Sequence, residues 1–269
     1  MRVAEWINIA FFSCFTILAL RHPMHPGRRL QAILLGVTAL SLVTGSAFAE
    51  SFLPPPVATA VRDWLPAPLM MMAYWQAGRF FTSPWLRFQS RLVDLDSAWL
   101  GSFIRGDLQG QARFWLEAYL ELAYMLCYPL VPCALGVLYL ARMKQYADYY
   151  WMVVLPPSYL CYGMTAFIYT LPPRLVEPES AGAARVKGRA FNLWILSHAS
   201  NEHNTFPSAH VAATTAASLV LLHLVPAWGI VFLWISASIA LGAVVRRYHY
   251  ALDALVGAAL AFAAFLLLG

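Results

Sequence analysis

Long apolar runs separated by short polar segments set the rhythm of the chain. A membrane-spanning helix needs about 20 mostly apolar residues. Runs of that kind lie near 4–20, 31–52, 113–141, 148–171, 208–226, 228–246 and 250–269. They predict an all-α polytopic membrane protein, a helical bundle with about six to seven transmembrane helices. The stretch 66–112 breaks the rhythm. Its apolar part, Leu69 to Tyr74, soon meets Arg79, Arg87 and Arg91, and it is rich in Trp and Phe. That pattern predicts amphipathic helices lying in the interface. Ala47-Phe48-Ala49 resembles a signal cleavage site, but two apolar runs divided by Arg28 and Arg29 fit a helical hairpin better. Residues 1–112 are therefore read as that hairpin plus outer-side interfacial helices. Residues 113–269 are read as the core, both parts forming one integrated membrane domain.

Charge sets the expected topology. The segment Arg21–Arg29 carries three arginines and the loop 142–147 carries Arg142 and Lys144. The positive-inside rule places both in the cytoplasm. Seven spans satisfy that placement, whereas an eighth near 66–82 would put 21–29 outside and is rejected. Residues 172–206 and the turn at 246–249 then face outward, the periplasm if the membrane is a bacterial inner membrane.

Composition agrees. Of 269 residues, 61% are hydrophobic and 12% charged, against about a quarter charged in a soluble domain. The net charge of +5 lies in short clusters between apolar runs, which suits membrane topology or anionic headgroups and not nucleic acid. Cys14, Cys127, Cys133 and Cys161 all sit in apolar stretches without a C-x-x-C pair, and read as buried thiols.

Ionisable residues at the ends of membrane helices usually mark function. Three clusters qualify: Leu171-Pro172-Pro173-Arg174, Phe206-Pro207-Ser208-Ala209-His210, and Arg246-Arg247-Tyr248-His249-Tyr250-Ala251-Leu252-Asp253. His249 and Asp253, four apart, would share one helix face. The carboxylate can then take the Nδ1 proton and leave Nε2 free to attack, the orienting logic of a catalytic triad; a self-satisfied buried pair is the competing reading. Pro207 suits a first helical turn, which would set Ser208 among free N–H groups that favour phosphate. His210 at that level can donate or withdraw a proton. Arg174, stiffened by two prolines, suits bidentate phosphate binding. Arg185, Lys187, Arg189, Arg246 and Arg247 are further candidates, with headgroup anchoring as the alternative. Glu117 and Glu121, one turn apart, could hold a proton or pair with an arginine.

The order of these clusters resembles the type 2 phosphatidic acid phosphatase superfamily, whose signature is K-x6-R-P, then P-S-G-H, then S-R-x5-H-x3-D. This chain keeps Pro207, Ser208, His210, His249 and Asp253. It has Leu175 after Arg174 instead of Pro, Phe167 where the Lys falls, Ala209 for the Gly and Ala243 for the second Arg. It looks closest to the branch of inositol-phosphorylceramide synthases, through the P-P-R turn, Phe206, Tyr250 and the helix bearing Glu117, Tyr124 and Tyr128. The resemblance spans roughly 90–269. It implies a metal-free, cofactor-free phosphoryl transfer from a phosphorylated lipid. His249 would be the nucleophile, Asp253 its support and His210 the acid and base. Arg174 and Ser208 would bind phosphate, with Arg246 or Arg247 standing in for the missing cations. Water as acceptor makes a lipid phosphatase and a hydroxyl acceptor makes a phosphotransferase; the phosphatase is expected, because no acceptor motif is readable. A two-histidine, one-carboxylate metal site, a transporter or lipid-binding protein, and a member that has lost catalysis are the other readings. Membrane lipids are the expected surroundings. Neither oligomeric state nor the identity of the lipid is legible. His22, His25, His198, His203 and His223 read as structural or loop residues.

Overall fold

The computed structural model describes residues 1–81, 83–105, 111–176, 187–199 and 205–269. The described residues are helical throughout, without strands. In chain order the helices are α1 (Val3–Arg21), α2 (Pro26–Ala47), α3 (Pro55–Trp64), α4 (Pro66–Ala77), α5 (Leu86–Arg105), α6 (Gln111–Met125) and α7 (Cys127–Leu140). They continue with α8 (Ala147–Phe167), the short α9 (Pro173–Val176), α10 (Lys187–Ala199), α11 (Ala209–Leu224), α12 (Pro226–Val245) and α13 (Ala251–Leu268). Proline opens α2, α3, α4 and α12, where its missing N–H costs nothing.

Helices α1, α2, α12 and α13 are each long and apolar enough to cross a membrane, and α6 with α7 makes a fifth candidate bent by 59°. Two of the runs read from the sequence fall outside this set for physical reasons. Helix α11 has only 16 residues, but Val211 through Leu221 are buried without interruption, so it is the centre of the bundle and faces protein instead of lipid. Helix α8 carries Pro156, Pro157 and polar aromatic residues, and it too is largely buried. Cys127 and Cys161 are buried in the bundle, whereas Cys14 and Cys133 lie on its outside.

The two ends of the bundle are fixed by specific contacts. At one end Asp148, in the first turn of α8, accepts from the amides of Val3 and Ala4 at 3.1 and 3.0 Å. Arg2 pairs with Asp63 there, and Tyr139 and Trp151 also bond Asp63. At the opposite end Phe80 meets the His22 ring edge-on at 5.7 Å, Arg28 donates to the Phe81 carbonyl, and Phe81 stacks on Tyr169. Helix α4 therefore runs from the first end to the second beside α1 and α2.

This corrects two expectations. Helix α4 runs between the two ends where an interfacial helix is expected, although its twelve residues keep it out of the membrane-crossing candidates, and with it eight helical segments run between the ends: α1, α2, α4, α6–α7, α8, α11, α12 and α13. The 22–29 and 142–147 loops consequently lie at opposite ends, not on one side. Hydropathy misses α4 because it breaks from α3 at Pro66, and twelve residues advance only about 18 Å. Its Gln76 is a buried polar residue whose amide nitrogen is held inside the bundle, donating to the Ala32 carbonyl and to Thr16. Leu69, Ala73 and Ala77 are buried beside it, so α4 is a packed helix and not an interfacial one. Helix α5 keeps the expected amphipathic character, with Leu92 and Gln89 turned inward.

Candidate active site

The end bearing the 22–29 loop also gathers all three sequence clusters. Helix α12 stops at Arg246, and Arg247 adopts a left-handed backbone (φ 61°) that turns the chain. The amides of Tyr248 and His249 then both donate to the Ala243 carbonyl, at 2.9 and 2.8 Å, which folds the turn back onto α12. Helix α13 starts beyond it. Asp253 sits in the first turn of α13 and accepts the Tyr250 amide at 3.0 Å, as an N-terminal cap.

His249 thus stands in the turn before α13, not on the helix, yet it still meets Asp253. Its Nδ1 lies 3.4 Å from Asp253 Oδ2 and 3.0 Å from the Thr205 carbonyl oxygen. Two acceptors face one nitrogen, so Nδ1 carries the proton and Nε2 keeps its lone pair. The His210 ring stands across from it, ring centroids 6.2 Å apart and nearly perpendicular. Both sequence-predicted histidines and the aspartate are therefore brought together.

Ser208 takes a different place from the one expected. Helix α11 begins at Ala209, and Ser208 is its N-cap, with Oγ accepting the Val211 amide at 3.4 Å. Its own amide donates to the Asp253 carbonyl at 3.0 Å. The Ser208 amide is committed as a donor and its hydroxyl oxygen as an acceptor, which leaves the Ala209 and His210 amides as the backbone donors of the first turn open to an anion. A glycine makes this junction possible: a Cβ on Gly257 would run into the Ser208 carbonyl oxygen, so only glycine lets α13 come this near.

The arginines divide sharply. Arg247 pairs with Asp96 of α5 at 2.6 Å. Arg246 is buried and pairs with Glu117 at 2.8 Å and Glu121 at 2.6 Å. Neither is the open cation that its place in the sequence suggests. Arg174, by contrast, has no carboxylate in ion-pair reach among the described residues; its amide donates to the Arg247 carbonyl and its guanidinium lies 5.6 Å from the Tyr248 ring centre. Arg174 is partly buried, and that burial pulls the pKa of its guanidinium below the ordinary value. Arg189 of α10 lies 5.5 Å from the same ring and bonds Glu121 and the Arg246 carbonyl. Tyr124 stacks flat on Tyr248 at 4.1 Å.

Glu121 is the hub beneath this cluster. Fully buried, it accepts from Arg246, Arg189, Asn192 and the Tyr248 hydroxyl. The sequence reading weighs Glu121 as an arginine partner but gives it no place in the site. Asn192 and Thr205 escape it altogether, and Tyr248 enters only as a member of the third cluster with no role of its own, since a carbonyl acceptor and a ring wall leave no motif. Two residues of α5 are also missed. Gln89 bridges the Leu171 backbone and the Tyr250 hydroxyl, while Asp96 caps the Ala251 amide as well as pairing with Arg247. Their spacing of seven places both on one helix face, which is the signal that could have found them. Arg185, His203 and the side chain of Lys187 lie outside the described residues. Among the described residues no group of three or more His, Cys, Asp or Glu is arranged to hold a metal ion.

His210 also borders a cavity of about 290 Å³ between α4, α7, α8 and α11. Its ring packs against Tyr124 and Tyr128 at 6.0 and 5.5 Å between centroids.

Compared with known proteins, residues 90–267 match the PAP2 superfamily. No curated protein and no solved structure matches the chain.

Proposed function

The chain belongs to the PAP2 superfamily, and from that membership and the site geometry we propose that it is a membrane-embedded lipid phosphate phosphatase. The observation that carries the reading is His249, its Nδ1 faced by the Thr205 carbonyl and Asp253 and its ring set against His210. In this reading His249 Nε2 attacks phosphorus, and the bond from phosphorus to the leaving oxygen breaks. His210, which takes up a proton when the anionic phosphate binds beside it, gives that proton to the leaving oxygen. Asp253 stabilises the phosphoimidazolium. His210, now neutral, takes a proton from water, whose oxygen attacks phosphorus and releases His249 and phosphate.

The charge that builds on the phosphoryl oxygens needs fixed donors. Arg174, Arg189 and the amides of Ala209 and His210 are suited to supply them. Arg246 acts at one remove, holding Glu121 so that Arg189 and Tyr248 stay in place. Arg247 locks the turn to α5 through Asp96. A lipid phosphotransferase of the synthase-like branch would use the same residues with an alcohol in place of water.

The site shares its end of the bundle with the 22–29 loop, so an outward-facing site requires that loop outward and the 142–147 turn, with Arg142 and Lys144, inside. Phosphate release by detergent-purified protein, with chelator present and a panel of lipid phosphates and diphosphates, tests the activity. Release that disappears in His249→Ala supports the reading. Release unchanged in that variant, or none from folded protein until an alcohol is added, overturns it.

A further inference from the structure

The cavity beside His210 is lined by Ala67, Met70, Met71 and Tyr74 of α4, by Tyr128 and Val131 of α7, and by neighbours from α8 and α11. Its volume of about 290 Å³ is at the small end of ligand pockets, which run from roughly 300 to 1,000 Å³. Its walls are mostly apolar; the polar groups belong to Tyr74, Tyr128, Tyr162 and His210, and one of them is unusual. The Tyr128 hydroxyl is buried and has no hydrogen-bond partner among the described residues. A buried hydroxyl left unpaired costs about 1–3 kcal/mol, so its position calls for an oxygen delivered by a ligand. Methionines at 70 and 71 give the wall the adaptable, polarizable surface that suits a flexible hydrocarbon. The wall formed by α4 lies outside the matched family segment, which begins at residue 90.

Resting on the reading of His210 as the acid for the leaving oxygen, we propose that this cavity holds the hydrocarbon chain of the substrate, a single-chain alkyl or prenyl phosphate, with the Tyr128 hydroxyl on the oxygen that joins chain to phosphorus. The geometry supports one slender chain: the cavity reaches His210, which protonates the leaving alcohol in this reading, without reaching the attacking His249, and its space is small and mostly apolar. A cavity of about 290 Å³ has room for one chain of roughly ten carbons and not for the two long chains of a diacylglycerol. Helix α4 is then the element that measures chain length.

Photo-cross-linking tests the cavity without requiring turnover. An alkyl phosphate of about ten carbons with a diazirine at mid-chain is irradiated with the wild-type protein and with His249→Ala, and the labelled peptides are sequenced. Labels are expected on α4 and α7 at residues 67–74 and 128–131, reduced by Met70→Trp. Labels confined to lipid-facing residues such as Leu34 or Leu241 would overturn the proposal, whatever the activity. Cavity labels from a protein that releases no phosphate would instead sink the phosphatase reading and leave the chain site standing. With active protein, kcat/KM across alkyl phosphates should rise about fourfold per added methylene while the chain is filling the cavity. Ala67→Phe should shorten the length at which that rise stops, and Met71→Ala should extend it. A profile that is flat, or that favours two-chain substrates, contradicts the proposal.

Discussion

Replacing Asp253 with asparagine separates two tasks that a carboxylate usually combines. Asp253 faces His249 Nδ1 at 3.4 Å, near the outer limit of a hydrogen bond, while the Thr205 carbonyl sits closer at 3.0 Å. The carbonyl alone can therefore hold the tautomer, and an asparagine side chain could still accept the Tyr250 amide that Asp253 now caps. What the substitution removes is the charge. Two unit charges 3.4 Å apart interact by about 5 kcal/mol at an effective dielectric of 20. The substitution also relieves the cost of burying the carboxylate, which offsets part of that gain, so a net loss of about 3–4 kcal/mol is expected. That is a fall of roughly two to three decades in the rate of forming the phosphoimidazolium. The assay is single-turnover phosphate release by Asp253→Asn, beside thermal unfolding to show that the fold survives. A rate within tenfold of wild type would refute the argument that Asp253 works by charge, and a loss accompanied by unfolding would show that it works as a cap.

Other outcomes follow from the same contacts. Gly257→Ala should destabilise the protein by about 1–3 kcal/mol, because the new Cβ must push the Ser208 carbonyl away from α13; unchanged thermal unfolding in detergent would mean that the helices are not this close. Arg174→Lys should cost at least tenfold in kcat/KM through loss of the guanidinium fork, whereas Arg247→Lys, whose partner is Asp96, should cost less; the reverse order would mean that Arg247 is the phosphate ligand. In protein stripped of its native cysteines, single cysteines at positions 25 and 143 should react with an impermeant maleimide from opposite sides of the membrane. Labelling from one side would remove the α4 passage and restore a seven-passage topology.

The all-α membrane class and the grouping of the candidate site residues are easier to read in the sequence than the path of the individual helices. His249, Asp253, His210 and Arg174 are legible because they are ionisable residues at the ends of apolar runs, where few other reasons exist for them. The pairing of His249 with Asp253 survives although the supposed shared helix does not: the spacing of four works equally well across a cap. The sequence reading sets Ser208 two positions too deep because it makes proline the first helical residue, whereas the serine hydroxyl defines the start. Topology fails at α4, where a twelve-residue helix with a buried glutamine carries no hydropathy signal, the glutamine's amide nitrogen finding its acceptors only in residues distant in sequence. The roles of Arg246 and Arg247 are inseparable by sequence, since adjacent arginines point to different partners once the left-handed turn at Arg247 sends them apart.

The central claim is that His249 becomes phosphorylated. Purified protein is mixed with radiolabelled alkyl phosphate, quenched in alkali within a turnover, and digested for phosphopeptide mapping. The account predicts an alkali-stable, acid-labile phosphoryl group on the peptide containing His249, present in wild type, absent in His249→Ala, and longer-lived in His210→Ala, where water is poorly activated. A phosphoryl group on any other residue, or turnover with no trapped adduct in wild type and His210→Ala alike, contradicts it.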